Sequence, residues 1–449
     1  TCALPILGAK LTKTCDSLCP LTNDVLDGVK APTTPVEEAE EEAPAEEAAP
    51  AAPVATAATV AGGTLKIHIG EGKDINLEIP VGALGATGEA VAEVPAAVAA
   101  TATAEAPVEE TKVVGTLTRR HIKITEVKRG PETKIEGTTL YIREGIEAEV
   151  IANQELVKDF HLEIITPDQY HTYSETIMDV QPIATKEGDA ILGEGATRVL
   201  DGVVMMLTGT DEGGVQIGEF GSSEGYLDEN IMWGRPGCPD KGEIFIKGNI
   251  VVQEKTNMER RGPMAAHTAF DIITQEIREV MKELDDSFIV EDEELKSIRR
   301  PGKKKVVIVK EIMGQGAMHD NFILPVEPVG ILGARANVDL GNVPVCVSPL
   351  EVLDGCIHAL TCIGPASKEM SRHYWREPLV LEALHDEEVD LCGVVFVGSP
   401  QINAEKYYVS RRVGHTVEMM DVDGAFVTTE GFGNNHIDFA SHIEQIDRK

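Results

Sequence analysis

The stretch Arg300-Pro301-Gly302-Lys303-Lys304-Lys305-Val306-Val307-Ile308-Val309 sets the fold class of the second half of the chain. Its first residues mark a domain boundary, and the β-branched run at its end is typical of a buried strand. Similar apolar runs follow, separated by helix-like segments: runs at 344–347, 391–397 and 424–428, helix-like segments at 351–361 and 402–415. This alternation predicts a largely parallel α/β sheet over residues 301–449, with sites at the carboxyl ends of its strands.

The preceding region, residues 115–300, is predicted to be a β-rich α+β domain. Short alternating runs bounded by Gly and Asp are typical of strands, and they occur at 140–143, 160–165, 199–200 with 203–204, and 244–247. Residues 266–285 predict a helix, because apolar residues recur there at helical spacing: Ala269, Ile272, Ile273, Ile277 and Met281. A polar, glycine-rich loop is expected between residues 218 and 242.

The chain begins with segments of low complexity around one small module. Residues 1–34 form a leading segment, and residues 35–61 form an acidic, Ala/Pro-rich linker that should be extended. Residues 62–81 hold two alternating runs separated by glycines, which predict a small tethered β-hairpin. An Ala-rich linker over 82–114 follows. A lone hairpin is marginal in water, so we expect the module to dock on another surface.

The composition excludes several classes of protein. The chain has 449 residues, a formal net charge of -35 and 8 cysteines. An acidic surface argues against nucleic acid or anionic lipid as a partner. No apolar run approaches the roughly 18–20 residues of a membrane-spanning helix, so no membrane span is predicted. The cysteines are too sparse for a disulfide scaffold, which favours a cytoplasmic protein.

The Thr361-Cys362 step is the strongest candidate for chemistry. A Cys held in a strained loop can attack its own preceding carbonyl, and β-elimination then cuts the chain and leaves a pyruvoyl ketone downstream. Gly364-Pro365 predicts the tight turn that such strain requires. If the predicted helix persists, His358 faces this peptide bond and could move protons. Without further support, a Thr-Cys pair is ordinarily a buried small thiol, and His358 a capping residue.

Three other groups of residues are candidates for substrate binding. Polar residues follow the strand at 424–428, where they would line a crevice: Glu430, Gly431, Asn434, Asn435 and His436. His319 follows the strand at 306–309 in the same way, and Glu219 lies in the glycine-rich loop. Solvated turns remain the alternative for each group. Cys15 and Cys19 lack a second ligand pair, so no metal site is predicted.

Long stretches of this sequence resemble the D-proline reductase proprotein family. The matching residues lie between about Gly115 and Ile446, at Thr118-Arg119-Arg120-His121, Lys134–Tyr141, Gly218–Gly237, Ile312–Asp320, His358–Lys368, Arg372-His373-Tyr374-Trp375-Arg376-Glu377-Pro378 and Thr429–His442. A more distant similarity, mainly around Thr429–Asn434, is to the pyruvoyl-subunit precursors of glycine and betaine reductases.

The resemblance implies a specific activity. Self-cleavage between Thr361 and Cys362 would turn Cys362 into the pyruvoyl group, the only cofactor expected. D-proline would bind that group as an iminium ion. The selenol of a separate selenocysteine-containing subunit would then open the ring to 5-aminovalerate, with reducing equivalents from an electron-donating protein. The resemblance therefore implies a hetero-oligomer. In the family the chain continues past the equivalent of Ile446, so a further C-terminal piece is expected.

Two other functions remain open at the level of the sequence. One is a subunit of a glycine- or betaine-type amine reductase. The other is a non-catalytic electron-transfer or docking protein, with Cys15, Cys19 and the hairpin module as its working parts.

Overall fold

The computed structural model describes the strands at residues 64–69 and 75–80, and then residues 110–217, 222–256, 261–313, 321–328, 338–359, 371–430 and 434–449. Within these ranges the strands are β1 (Thr64–Ile69), β2 (Ile75–Pro80), β3 (Lys112–Lys123), β4 (Glu126–Gly130), β5 (Lys134–Glu136), β6 (Thr139–Arg143), β7 (Val157–Ile165), β8 (Tyr173–Ser174), β9 (Ile177–Gln181), β10 (Ala184–Lys186), β11 (Gly195–Asp201), β12 (Val203–Asp211), β13 (Gly225–Tyr226), β14 (Ile244–Val252), β15 (Ile289–Arg299), β16 (Lys304–Ile312), β17 (Phe322–Ile323), β18 (Val338–Asp339), β19 (Val345–Val347), β20 (Ile357–His358), β21 (Val389–Gly398) and β22 (Gly424–Thr429). The helices in the same ranges are α1 (Ile146–Asn153), α2 (Leu227–Asn230), α3 (Arg261–Glu283), α4 (Pro349–Leu353), α5 (Ser371–Trp375), α6 (Pro378–His385), α7 (Asn403–Met420) and α8 (Asn435–Asp447).

The hairpin predicted near the start of the chain is present. Strands β1 and β2 pair antiparallel, with Leu65 opposite Ile79 and Ile67 opposite Leu77. The chain divides between Thr101 and Ala102, so this hairpin belongs to a different unit from the rest of the described structure.

The β-rich region contains two larger sheets and the long helix α3. One sheet has the order β10-β11-β3-β15 and the other β7-β14-β12-β9. The apolar stripe of α3, formed by Ala269, Phe270, Ile273, Ile277 and Met281, is fully buried in the hydrophobic cluster that holds Ile246 and Ile250 of β14. Burial of this stripe on the sheet is what holds a helix of this amphipathic pattern in place.

The second half of the chain is organised around β16. This strand pairs in parallel with β21 on one side and β22 on the other, and β19 pairs antiparallel with β21. Side chains of β16 alternate between two faces, as the strand period requires. Val306 and Ile308 pack with α4 and α6, whereas Val307 and Val309 pack with α7.

The two regions share hydrophobic contacts across residue 300. Leu117 of β3 and Leu295 of β15 lie in the same buried cluster as Ile308 and Phe396 of the parallel sheet. The boundary at residues 300 and 301 therefore stays a prediction. No helix in the described part of the chain is long and apolar enough to cross a membrane.

The predicted fold class is confirmed, since helices and mixed sheets form an α/β architecture with strands at the predicted positions. The helix predicted at 351–361 is present only to Leu353 and is wrong beyond that residue. Helix α4 ends at Leu353, and Gly355 adopts a φ of 82°, a left-handed conformation that stops a helix. The Asp354 carboxylate turns instead to Lys186 Nζ at 2.7 Å and Thr197 Oγ1 at 2.6 Å. The next residues form β20, which pairs with β17.

We expect Ile308→Ala to lower the free energy of unfolding by about 2–5 kcal/mol, because it empties a fully buried site between the sheet and its helices. Phe426 is the matched control, since it lies directly opposite Ile308 on β22 but is 44% exposed. Phe426→Ala should cost much less. Urea denaturation of the two variants measures the difference, and equal losses would contradict this packing.

Candidate active site

The short helix α5 makes contacts with both the β-rich region and the parallel sheet. All five of its residues are buried, although each of them carries a polar group on its side chain. Arg372 Nη1 donates to the Glu243 carboxylate of the β-rich region at 2.6 Å. The Trp375 carbonyl accepts from Arg119 Nη2 at 2.6 Å, and the same guanidinium lies over the Trp375 ring.

At the start of α5, Ser371 binds a buried carboxylate. Its backbone N–H donates to Asp179 Oδ1 at 2.9 Å, and its hydroxyl donates to Asp179 Oδ2 at 2.8 Å. Gln181 Nε2 donates to the same Oδ2 at 2.7 Å, and His267 Nε2 lies 3.4 Å from it. Burial alone would raise the pKa of Asp179, but the contacts with His267, His358 and Ser371 outweigh burial and lower it. Asp179 is therefore a buried anion.

His358 completes this group, which we call the Asp179 cluster: Asp179, Gln181, His267, His358 and Ser371. His358 Nδ1 lies 3.0 Å from Ser371 Oγ, and its ring meets the His267 ring edge-on at a centroid distance of 5.3 Å. The expectation that His358 acts from a helix is wrong, because it lies on β20 and is fully buried. Thr361 and Cys362 lie outside the described residues. The chain between 359 and 371 therefore begins and ends beside this cluster.

A second buried group lies at the carboxyl end of β16, on the face toward α6. Lys310 Nζ donates to Glu377 Oε1 at 2.8 Å and lies 3.2 Å from Glu430 Oε1. His373 Nε2 lies 3.7 Å from Glu377 and 3.6 Å from Glu430. Burial would raise the pKa of Glu377, but His373 and Lys310 lower it to about 2. These four residues form the Lys310 cluster, in which an ammonium group and two carboxylates meet beside a histidine.

The next residue of β16 points to the opposite face and starts a third group. Glu311 is fully buried, with its Oε2 3.9 Å from His442 Nε2 of α8. Nearby, Lys406 of α7 donates to Asp438 at 2.7 and 3.0 Å. Burial, followed by the charge of Asp438, raises the pKa of Glu311 to about 9. Burial and the Lys406 charge lower the pKa of His442 to about 4. Near neutral pH, Glu311 and His442 are both uncharged.

The predicted substrate-binding residues that the structure describes lie in different surroundings. Glu430 belongs to the Lys310 cluster. Asn435 is buried at the start of α8, whereas Asn434 and His436 beside it are exposed. Glu219, His319 and Gly431 lie outside the described residues, so their roles stay predictions. The described part of the glycine-rich loop forms β13 and α2, where Tyr226 is exposed and stacks on His171 at 4.1 Å.

Several charged residues were missed by the sequence analysis. Lys310 and Glu311 follow directly after the apolar run at 306–309 of β16, and Asp179 interrupts the apolar run of β9. A charge inside such a run is a usable signal, because an ion is buried only where the fold supplies a partner. Within the described ranges, no three His, Cys, Asp or Glu side chains are placed to hold a metal ion.

Comparisons with known proteins give the family. Residues 116–449 match the model of the glycine/sarcosine/betaine reductase component B subunits. The D-proline reductase proprotein PrdA of Acetoanaerobium sticklandii is 66% identical over 98% of this chain and 72% of its own length. Component B subunits alpha and beta of the glycine reductase complex from the same organism are 24% identical over 73% of this chain and 76% of their own length. The alpha subunit of component B of the sarcosine reductase complex from Peptoclostridium acidaminophilum is 24% identical over 72% of this chain and 75% of its own length.

No solved structure matches the chain. The family match covers the β-rich region, helix α5 and the parallel sheet, and it favours the reductase interpretation over a non-catalytic docking protein. The chain belongs to the family of glycine, sarcosine and betaine reductase component B subunits, and it is a subunit of an oxidoreductase.

Proposed function

We propose that this chain is the precursor of the pyruvoyl subunit of a D-proline reductase and that it cleaves itself between Thr361 and Cys362. Its 66% identity to a D-proline reductase proprotein, against 24% to glycine and sarcosine reductase components, favours D-proline as the substrate. A glycine- or betaine-type activity is the alternative, since the family model covers those reductases too.

The observation that carries the proposal is the Asp179 cluster at both ends of the segment that contains Thr361 and Cys362. The proposed cleavage needs proton transfers and no redox partner. The Cys362 thiol attacks the Thr361 carbonyl, and the amide becomes a thioester and a free amine. Elimination then leaves the sulfur on the upstream fragment as a thiocarboxylate. The downstream enamine takes up water and releases ammonia, which gives the pyruvoyl ketone.

The cluster is suited to moving these protons. Because the Ser371 hydroxyl donates to Asp179 Oδ2, it accepts from His358, which assigns the His358 proton to Nδ1. Nε2 is then the His358 atom able to take the proton from the Cys362 thiol, return it to the departing amide nitrogen, and accept the Cα proton of residue 362 in the elimination. Asp179 holds Ser371 in place and stabilises positive charge on either histidine. The cluster itself is buried and rich in hydrogen-bonding groups, which supports our proposal that a pyruvoyl group forms at position 362.

The Lys310 cluster would bind the substrate and take up the proton of its amine. Once formed, the pyruvoyl group supplies a ketone that condenses with the substrate amine and draws electrons from the C–N bond. D-proline arrives with a protonated amine, which must lose its proton before condensation. Glu430 is the carboxylate of this cluster that is best placed to accept it, because Glu377 is already bonded to Lys310 and to a backbone N–H. The selenol would come from a selenocysteine-containing subunit, and its electrons from a donor protein.

We expect Cys362→Ala to leave an uncut and inactive chain, because alanine has no nucleophile. Denaturing gel electrophoresis and intact-mass measurement check this: wild type should give two fragments, and the downstream one should lack the thiol and the amine of Cys362. Cys346→Ala is the control, since Cys346 is exposed and away from the segment in sequence. Cleavage in Cys362→Ala would rule out the proposed bond.

We expect His358→Ala to slow cleavage by about 10²–10⁴-fold, the usual contribution of a positioned acid or base. Asp179→Asn should slow it as well, because the neutral amide no longer stabilises a protonated histidine. The exposed His415 provides the control variant His415→Ala. The time course of fragment appearance after rapid refolding is the measurement, and processing at the wild-type rate in His358→Ala would remove His358 from the mechanism.

The substrate is tested with the chain assembled with its selenocysteine-containing subunit. D-proline should be turned over to 5-aminovalerate, whereas glycine and betaine should be consumed at least about 10²-fold more slowly, since neither is a cyclic secondary amine. Chromatographic detection of the products decides the matter. Preferential consumption of glycine or betaine would support the alternative.

A further inference from the structure

The first turn of α8 is placed where a ligand anion is commonly bound. Strand β22 ends at Thr429 and α8 begins at Asn435, so the helix starts beside the carboxyl ends of β16 and β22. The N-terminus of a helix that follows a parallel strand presents unpaired N–H groups and a partial positive charge. Asn434, the residue before α8, makes no side-chain capping bond to these groups.

A second observation points to a ligand at this position. Asn435 is only 6% exposed, yet its Nδ2 has no hydrogen-bond partner among the described residues. Neither carboxyl oxygen of the fully buried Glu311 has a partner in good hydrogen-bond geometry, although the side chains of Asn435 and Thr429 lie close enough to offset part of the rise in its pKa. Buried amide and carboxyl groups without partners are costly, so a site that leaves several together is suited to a polar ligand.

Most of these groups are hydrogen-bond donors, which indicates that the ligand is an anion. At neutral pH Glu311 keeps its proton, because burial and Asp438 hold its pKa at about 9, so its O–H can donate to an anion. Asn435 Nδ2 and the helix N–H groups also donate. The Asp438 charge is matched by Lys406, and His442 is neutral. A carboxylate would satisfy all of these donors at once.

We propose that the first turn of α8, together with the side chains of Asn435 and Glu311, binds the carboxylate of the amino-acid substrate. The proposal rests on the function proposed above. Glu430, which was assigned there to the substrate amine, directly follows β22, the strand from which the chain leads to α8. Binding of the amine and the carboxylate at separate points would fix which face of the substrate Cα meets the incoming selenol.

The test compares D-proline with pyrrolidine, which has the same ring amine and no carboxylate. In the processed chain assembled with its selenocysteine-containing subunit, Asn435→Ala should raise KM for D-proline at least tenfold, with a smaller change in kcat. The isosteric Asn435→Asp should raise it further, because its charge repels a carboxylate. Binding of pyrrolidine, measured by calorimetry, should change less than twofold in both variants. Asn403→Ala, at the exposed start of α7, is the matched control and should leave both ligands unaffected.

The role of Glu311 is tested by pH. In wild type, KM for D-proline should rise as pH increases through about 9, because Glu311 then loses its donor proton and becomes an anion. The titratable groups that face it are Asp438 and His442 of α8 and Lys406 of α7. Glu311→Gln keeps an N–H donor at every pH, so its KM should lack this rise relative to wild type.

The two proposals fail in different ways. If wild type does not turn over D-proline, the proposed function is wrong. If wild type is active but Asn435→Ala and Asn435→Asp, folded and fully processed, keep the wild-type KM for D-proline, the carboxylate lies elsewhere. Equal losses of D-proline and pyrrolidine binding would also overturn the inference, since they would indicate a structural effect on the whole site.

Discussion

The contact between Asp179 and Ser371 determines where the rest of the site lies. Both residues are fully buried, and two hydrogen bonds join the carboxylate to the backbone N–H and the hydroxyl of one serine. A buried carboxylate is expensive, and it is kept only where several donors converge on it. Here the donors fix the first residue of α5. The later residues of that helix then reach Glu243 on one side and the Lys310 cluster on the other.

The two faces of strand β16 have different electrostatic environments. Lys310 and Glu311 are consecutive, so the strand period sends them to opposite faces. On one face, His373 and Lys310 lower the pKa of Glu377 and keep that carboxylate ionised. On the other, burial keeps the Glu311 carboxyl protonated. Consecutive residues of one strand thus carry a charged group and an uncharged acid, and the two faces on which they lie are covered by different helices.

Local patterns predicted much of the fold, and long-range pairing explains what they missed. The strand at 306–309 and the helix at 266–285 follow from the spacing of apolar residues, which the sequence shows directly. The helix predicted through His358 failed because Gly355 and the partners of Asp354 stop α4, and those partners lie more than 150 residues away in sequence. Asp179 and Ser371 are separated by 192 residues, so no periodicity could pair them. For the same reason Glu430 could be placed at a strand end, but its neighbours Lys310 and His373 could not.

The Asp179 cluster can be completed only late in translation, because its residues are far apart in the sequence. The ribosome completes β9 and α3 long before it reaches β20 and α5. Until then the Asp179 carboxylate has Gln181 and His267 as partners but lacks the two hydrogen bonds of Ser371, so its burial is more costly. We therefore expect this carboxylate to lose its last bound water only after Ser371 has been added. Strand β9, which carries Asp179, should be among the last parts of the molecule to be fully buried.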